Sequence, residues 1–289
     1  MKMRRKTKMK IIDGKAISAQ IRAELKEKCE KLIKEKGITP GLAVIIVGED
    51  PASQIYVRNK ARACEELGYY SEVHRLPADT KEEEVAALID KLNEDEKIHG
   101  ILVQLPLPGH ADEKALLLRI SPKKDVDAFH PYNVGRISTG DYGFLPCTPA
   151  GVMELIERSG ISVCGKSCVV VGRSNIVGKP MAMLLINANG TVTVCHSRTQ
   201  NLREVCASAD ILVSAVGKAN FIKADMVKEG AVVIDVGMNR DENGKLCGDV
   251  AYDEVAPKTS YITPVPGGVG PMTITMLMRN TLYAAEHAE

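Results

Sequence analysis

Short apolar runs recur along the chain, each followed by a helical pattern, and this alternation constrains the fold more than any other feature. Gly41-Leu-Ala-Val-Ile-Ile-Val-Gly48 reads as a buried strand, Ser53 to Leu67 as a helix, Tyr70 to Leu76 as a strand, Lys81 to Leu92 as a helix and Ile98 to Leu105 as a strand. A second series places strands near 168–172, 191–195, 210–216 and 231–236, with helices between them. Alternating βα units imply parallel sheet covered on both faces. Between the two series, residues 121–149 hold Pro122, Pro131, Pro146 and Pro149 with Gly135, Gly140 and Gly143, a composition that interrupts regular structure and suits a connection between domains. The expectation is an α/β protein of two domains: a βα domain over 1–147 and a doubly wound parallel-sheet domain over 148–271. In the last segment Ile274, Leu277, Met278 and Leu282 share one helical face. Residues 272–289 are therefore expected to form a C-terminal helix that needs a surface to cover; either domain offers one, and packing back on the first is the expectation.

At 289 residues, with 45% hydrophobic and 26% charged residues, the chain has the composition of a globular protein that buries a core. Its apolar runs, such as Met181 to Ile186, fall far short of the roughly 20 residues a membrane helix requires. Six of the 38 basic residues (Lys2, Arg4, Arg5, Lys6, Lys8 and Lys10) lie in a head that contains no acid, so the rest of the chain, with 37 acidic residues, is mildly acidic. Nucleic acid is a poor partner for such a body, and an anion site would have to be local. The head lacks the apolar core of a secretory signal and the serines of a transit peptide. It reads as an extension, with Met9 as an alternative start. The eight cysteines contain no Cys-x-x-Cys pair, and none of the six histidines forms a ligand pair with another. Reduced thiols, a cytoplasmic location and no metal are the expectations.

The second series carries the stronger local signal. Strand Ser167-Cys-Val-Val-Val-Gly172 runs through Arg173-Ser-Asn-Ile-Val into Gly178-Lys-Pro180 and a helix from Met181 to Asn187. A strand that ends in glycine, followed by a short polar turn and a helix, brings free N–H groups and a positive helix end to a dinucleotide's phosphates. Glycine turns at such junctions are also routinely structural. The next strand ends in His196-Ser197-Arg198-Thr199, where an NAD enzyme usually places a carboxylate for the ribose. A cation and hydroxyls there, with Arg173 and Ser174 in the first turn, suit a 2′-phosphate and favour NADP over NAD. Two more strand ends, Ser214-Ala-Val-Gly217 and Asp235-Val-Gly-Met238-Asn239, belong to the same expected sheet edge.

In the first series Asp50-Pro51 opens a helix well, with Asp50 as its N-cap. Tyr56 and Lys60 are four residues apart and project from one face of that helix. On most helices such a pair simply faces solvent. Gln104 ends an otherwise apolar strand stopped by Pro106 and Pro108, and its amide needs partners that a neighbouring lysine or a ligand would supply. Lys124-Asp125-Val126-Asp127 places carboxylates in the connecting passage, where charges are usually solvated. Tyr-x-x-x-Lys also marks short-chain dehydrogenases, but there it follows the cofactor loop, whereas Tyr56 precedes that loop.

Taken together, Tyr56-Val-Arg-Asn-Lys60, Gln104-Leu-Pro-Leu-Pro108, Lys124-Asp-Val-Asp127, Pro131-Tyr-Asn-Val-Gly135, Gly172-Arg-Ser-Asn-Ile-Val-Gly178, His196-Ser-Arg-Thr199 and Thr263-Pro-Val-Pro-Gly-Gly-Val-Gly270 resemble the bifunctional methylenetetrahydrofolate dehydrogenase and methenyltetrahydrofolate cyclohydrolase family. The likeness runs from about Ile11 to the C-terminus. It departs at Ala128, where the family usually has glycine, and the basic head has no counterpart. The resemblance implies a Rossmann-like NADP domain, a folate-binding catalytic domain and a cleft between them where hydride transfer precedes hydrolysis of the methenyl product. It implies catalytic roles for Lys60, Gln104, Tyr56 and Asp127, with Lys60 promoting water attack, Gln104 positioning it, Tyr56 packing on the folate and Asp127 accepting from the pterin. Pro266, Gly267 and Gly268 are implied at the folate tail. Gly172, Arg173, Ser174, Ile176, Gly178, His196, Ser197, Arg198 and Met238 are implied around NADP. A tetrahydrofolate-derived substrate and a homodimer follow from the same likeness. A shikimate or amino-acid dehydrogenase and a nucleotide-sensing module remain as rivals.

Overall fold

The computed structural model describes residues 9–288; apart from Met9 and Lys10, the basic head lies outside them. In chain order the elements are β1 (Lys10–Ile11), α1 (Gly14–Lys36), β2 (Gly41–Val47), α2 (Pro51–Leu67), β3 (Tyr70–Leu76), α3 (Glu82–Glu94), β4 (Gly100–Val103), α4 (Glu113–Arg119), α5 (Pro131–Thr139) and α6 (Cys147–Arg158). They continue with β5 (Ser167–Val171), α7 (Gly178–Asn187), β6 (Thr191–Cys195), α8 (Leu202–Ala207), β7 (Ile211–Ser214), β8 (Val232–Asp235), β9 (Asn239–Arg240), β10 (Leu246–Cys247), α9 (Tyr252–Val255), β11 (Tyr261–Ile262) and α10 (Gly270–Glu286). The described residues divide into two compact units, one of residues 19–147 and 274–288, the other of residues 9–18 and 148–273.

The first unit is built on a three-stranded parallel sheet in the order β3-β2-β4. As the central strand β2 is covered on both faces, and all seven of its residues are buried, which is why it reads as an unbroken apolar run. The edge strand β3 is only partly buried and carries Glu72, His74 and Arg75. Val85, Ile89 and Leu92 of α3 and Leu116 of α4 pack on Ala43, Ile45, Val47, Ile101 and Val103. Helix α2 starts as its sequence dictates: the Asp50 carboxylate accepts from the Ser53 amide at 2.8 Å, and Pro51 occupies the first turn. Helix α10 closes on the same unit, with Met278 Sδ 3.7 Å from Cys64 Sγ and its carbonyl accepting from the Tyr69 hydroxyl at 3.2 Å.

The passage rich in proline and glycine is more ordered than its composition suggests. Pro131 fills the first turn of α5 behind an accepting His130 ring, and Gly140 closes that helix in the left-handed conformation at φ 76°. These residues cap a helix here instead of interrupting one. Before it, the chain from Lys124 runs alongside β4, with Ile101 paired to Asp125 and the Ile101 amide donating to the Lys124 carbonyl at 2.8 Å. Gly100 makes room for this segment, since a Cβ there would lie 2.6 Å from Val126 Cγ1. Lys124 itself turns back to donate to the Leu92 and Asp95 carbonyls at the end of α3.

The second unit holds a six-stranded sheet, all parallel, in the order β1-β11-β8-β7-β5-β6. Numbered from β5, its five main strands run 2-1-3-4-5, a doubly wound order whose direction switches between β5 and β7. Chain order alone assigns the N-terminal strand to the first domain. In the structure β1 pairs with β11, Lys10 opposite Tyr261 and Ile11 opposite Ile262, which places it in the nucleotide-type sheet. A two-stranded antiparallel hairpin, β9 with β10, leads from β8 towards Asp249.

Candidate active site

In the first unit the register of the strands gathers side chains scattered in sequence. Gln104 follows β4 directly, and its amide N–H donates to the Ile45 carbonyl at 2.8 Å. Its side-chain Nε2 donates to the Leu105 carbonyl at 2.7 Å, which fixes the amide so that Oε1 faces the ammonium of Lys60 at 2.8 Å. Lys60, one turn along α2 from Tyr56, is only 9% exposed. Burial pulls its pKa below the usual lysine value, while the nearby Asp127 and Cys147 hold it up. Just past the Asp125 bridge the chain turns, and the Asp127 carboxylate there stands close enough to the Lys60 ammonium for each to act on the other's charge. Burial raises its carboxyl above the usual carboxylate range, and Lys60 opposes that rise. Tyr56 is 36% exposed, and burial of the rest raises its hydroxyl.

Around this group stand residues that the sequence did not single out. Cys147, buried at the start of α6, hydrogen-bonds Asp127, and its thiol is held far on the protonated side by burial and by that carboxylate. Asn280 of α10 donates to the Val126 and Leu145 carbonyls, both at 2.8 Å, and pins the backbone next to Asp127. Asp125, read from sequence as one of the solvated charges, is instead 3% exposed. It accepts from the Phe129 and His130 amides at 3.2 and 2.8 Å and from Asn133 Nδ2 at 2.8 Å, so its carboxylate shapes the loop. That loop passes through Ala128 at φ 57°, a left-handed conformation that normally selects glycine. The departure noted in sequence is thus a position where an alanine accepts backbone strain.

In the second unit the cofactor candidates sit at the carboxyl ends of β5 and β6, beside the switch in strand direction. Gly172 has φ 133°, and a Cβ on it would lie 2.4 Å from the Ala215 carbonyl oxygen after β7. Gly178 is equally tight, since its Cβ would lie 2.2 Å from the Gly172 oxygen. These two glycines let the turn lie flat against the strands where it enters α7, the position at which dinucleotide phosphates lie in open parallel sheets. Arg173, Ser174 and Ile176 are exposed along the turn. The Ser174 hydroxyl also caps α7, accepting from Val177 and Gly178 amides at 3.2 and 3.3 Å. His196 through Thr199 form a second turn, in which the Thr199 hydroxyl accepts from the His196 amide at 2.8 Å and the His196 ring accepts from the Arg198 amide at 3.2 Å. Ser197 and Arg198 are exposed at its tip. Because Val171 pairs with Cys195, the turns bearing Arg173 and Arg198 leave from neighbouring strand ends. Met238 is 52% exposed at the same edge.

Pro266, Gly267 and Gly268 belong to this second unit, whereas Lys60, Gln104, Tyr56 and Asp127 belong to the first. Pro266 is exposed, whereas Gly268 is buried, with its oxygen only 1.8 Å from where a Cβ on Gly14 would stand. That approach requires glycine at position 14; Gly268 is required by its own surroundings, a Cβ there lying 2.6 Å from the Pro264 oxygen, and Gly267 by its φ of 106°.

Two family profiles cover nearly all of this structure. The catalytic domain of tetrahydrofolate dehydrogenase/cyclohydrolase matches residues 12–127, and the NAD(P)-binding domain of the same family matches residues 146–289. The chain belongs to the tetrahydrofolate dehydrogenase/cyclohydrolase family. Relatives of this dehydrogenase/cyclohydrolase include the bifunctional protein FolD of Moorella thermoacetica, 62% identical over 95% of this chain and 98% of that one. The bifunctional protein FolD of Acetivibrio thermocellus is 63% identical over 96% and 97%. Among solved structures, the bifunctional FolD of Campylobacter jejuni superposes with a TM-score of 0.95 at 54% identity, covering 97% of this chain and 100% of that one. The Trypanosoma brucei FolD, solved with NADP cofactor and an inhibitor, gives a TM-score of 0.92 at 42% identity, covering 97% and 98%. Among the described residues no group of three or more histidine, cysteine, aspartate or glutamate side chains could hold a metal, and no helix is long and apolar enough to cross a membrane.

Proposed function

We infer that the chain is a bifunctional one-carbon folate enzyme. It oxidises 5,10-methylenetetrahydrofolate to 5,10-methenyltetrahydrofolate with NADP and hydrolyses the product to 10-formyltetrahydrofolate. Family membership across both domains displaces the rival reading of a shikimate or amino-acid dehydrogenase. The observation that carries the chemistry is the 2.8 Å hydrogen bond between buried Lys60 and an oriented Gln104.

Bound NADP accepts the hydride released from the one-carbon bridge. Gly172 and Gly178 leave the room its pyrophosphate needs at α7, and Arg173, Ser174, Ser197 and Arg198 supply the cations and hydroxyls for a 2′-phosphate. Ile176, His196 and Met238 complete the contact surface.

In the hydrolysis Lys60 takes up a proton as water attacks the methenyl carbon, which requires its neutral form. Burial already biases it that way. The methenyl substrate is a cation and adds to the bias. Pterin N–H groups donating to Asp127 disperse the one carboxylate charge that opposes it. Gln104 holds Nζ in place while Tyr56 packs on the folate, and Pro266, Gly267 and Gly268 take its tail through backbone contacts.

A spectrophotometric assay with methylenetetrahydrofolate and NADP tests the whole reading. Reduced NADP should accumulate together with formyltetrahydrofolate, and no absorbance change with folate substrate would discard it. Replacing Arg173 with alanine should raise the Michaelis constant for NADP about tenfold and leave that for NAD nearly unchanged, a charge-assisted phosphate contact being worth about 1.5–3 kcal/mol. Equal changes for both cofactors would reassign the phosphate site.

A homodimer and cytoplasmic residence complete the proposal. β6 closes the six-stranded sheet with an open edge and a 38% exposed Val194, and unpaired edges invite pairing. Light scattering should give twice 31.3 kDa, and a monomer mass would remove this part. All eight cysteines are free, which supports a reducing compartment and can be checked by fractionation.

A further inference from the structure

Two carboxylates lie buried beneath the same sheet edge and form no ion pair with a described cation. Asp249 is 0% exposed and Asp235 3%. Asp249 Oδ2 accepts from the Ser214 hydroxyl at 3.1 Å and from the Val216 and Gly217 amides at 2.7 and 3.3 Å. Its Oδ1 accepts from the Lys218 amide at 3.0 Å and from Asn239 Nδ2 at 2.9 Å. Asp235 accepts from the amides of Gly237, Asp249 and Val250, each at 2.9 Å. The two are interlocked through glycines. A Cβ on Gly237 would lie 2.3 Å from Asp249 Oδ1, and one on Gly248 would lie 1.9 Å from Asp235 Oδ2. Burying a charge in this way is costly unless its acceptors are filled, and here backbone N–H groups fill them.

What the clasp fixes is specific. It ties the loop after β7, residues 215–218, to the loop after β8, residues 236–239, at the carboxyl edge where open parallel sheets bind ligands. The adenosine half of a dinucleotide lies towards β6, where Arg198 stands, so its other half extends from the switch point towards β7 and β8. We propose that Asp249 is a positioning residue for the nicotinamide half of NADP, holding the 215–218 and 237–239 backbone in the shape that receives the ring. This rests on the reading of the second unit as an NADP site.

The test is Asp249→Asn, which keeps the shape but turns an NH2 group towards at least two donors. NADP dissociation constants, measured by calorimetry on the full-length enzyme, should rise at least tenfold. The cyclohydrolase rate, whose Lys60, Gln104 and Asp127 belong to the other unit and which consumes no NADP, should stay within twofold. An NADP affinity within twofold of the parent, or a proportional loss of cyclohydrolase activity, would overturn the proposal. If Asp249→Asn does not fold, Asn239→Ala removes one arm of the clasp and should still weaken NADP three- to tenfold; unchanged affinity would overturn it equally. A parent enzyme that binds no NADP would instead sink the cofactor reading itself, so the two failures are distinguishable.

Discussion

Lys60→Met is expected to lower methenyltetrahydrofolate hydrolysis by about a thousandfold while leaving the NADP dissociation constant within twofold, because general acid–base groups contribute roughly 10²–10⁴ to rate. The substitution removes the ammonium and keeps most of the chain's length and apolar stem. Loss of fold cannot account for the effect, since burying a neutral side chain avoids the desolvation cost that already depresses the Lys60 pKa. The melting temperature should therefore hold or rise, even though the Gln104 oxygen loses its 2.8 Å donor. Hydrolysis within tenfold of the parent would take Lys60 out of the mechanism. A pH profile adds a second readout. The kcat/KM for hydrolysis should climb with pH through the depressed Lys60 pKa and then level, because the neutral amine is the working form. Asp127 holds that pKa up, so Asp127→Asn should move the climb to lower pH, and a climb that stays put or moves up would break the assigned coupling.

Much of this arrangement was legible before any coordinates, for reasons that differ by residue. β2 announces itself because a central parallel strand must be apolar on both faces, and α2 because Asp50-Pro51 is its own start signal. The separation of Tyr56 and Lys60 is a local helical fact. Gln104 stood out as a polar group on an apolar strand, and the structure gives it a lysine. What stayed hidden depends on pairings distant in sequence. Asp125 looks like any loop carboxylate until Gly100 is seen to admit its segment beside β4. Cys147 closes a passage whose prolines and glycines suggest a connection without regular structure, although Pro131 and Gly140 in fact bound a helix. Asp249 has nothing around Leu246 to Val250 to mark it, because its five donors come from the last residue of β7, the loop that follows it and the first residue of β9. The pairing of Lys10 with Tyr261 spans almost the whole chain, and no local pattern encodes it.

Gly178→Ala should be the most damaging single methyl group for cofactor binding. The added Cβ would stand 2.2 Å from the Gly172 oxygen, 2.5 Å from its carbonyl carbon and 2.7 Å from the Arg173 nitrogen. All three are backbone atoms, so no rotamer change relieves the contact. Either the first turn of α7 lifts or the Gly172–Arg173 peptide moves, and each displaces the groups proposed to hold the phosphates. Overpacking of this kind costs about 1–3 kcal/mol, and each 1.4 kcal/mol that falls on the bound state is about tenfold in affinity. The expected result is an NADP dissociation constant raised about tenfold to a hundredfold. A fall in melting temperature of a few degrees should accompany it, since about 1 kcal/mol shifts a domain of this size by roughly 2–4 °C. Hydrolysis of methenyltetrahydrofolate should persist at near the parent rate, because Lys60, Gln104 and Asp127 lie in the other compact unit. If NADP binds the variant as tightly as the parent, the turn has room that the backbone geometry denies, and the phosphates are held elsewhere. If hydrolysis falls in step with NADP affinity, the two activities do not divide between the units as Lys60 and Gly178 require.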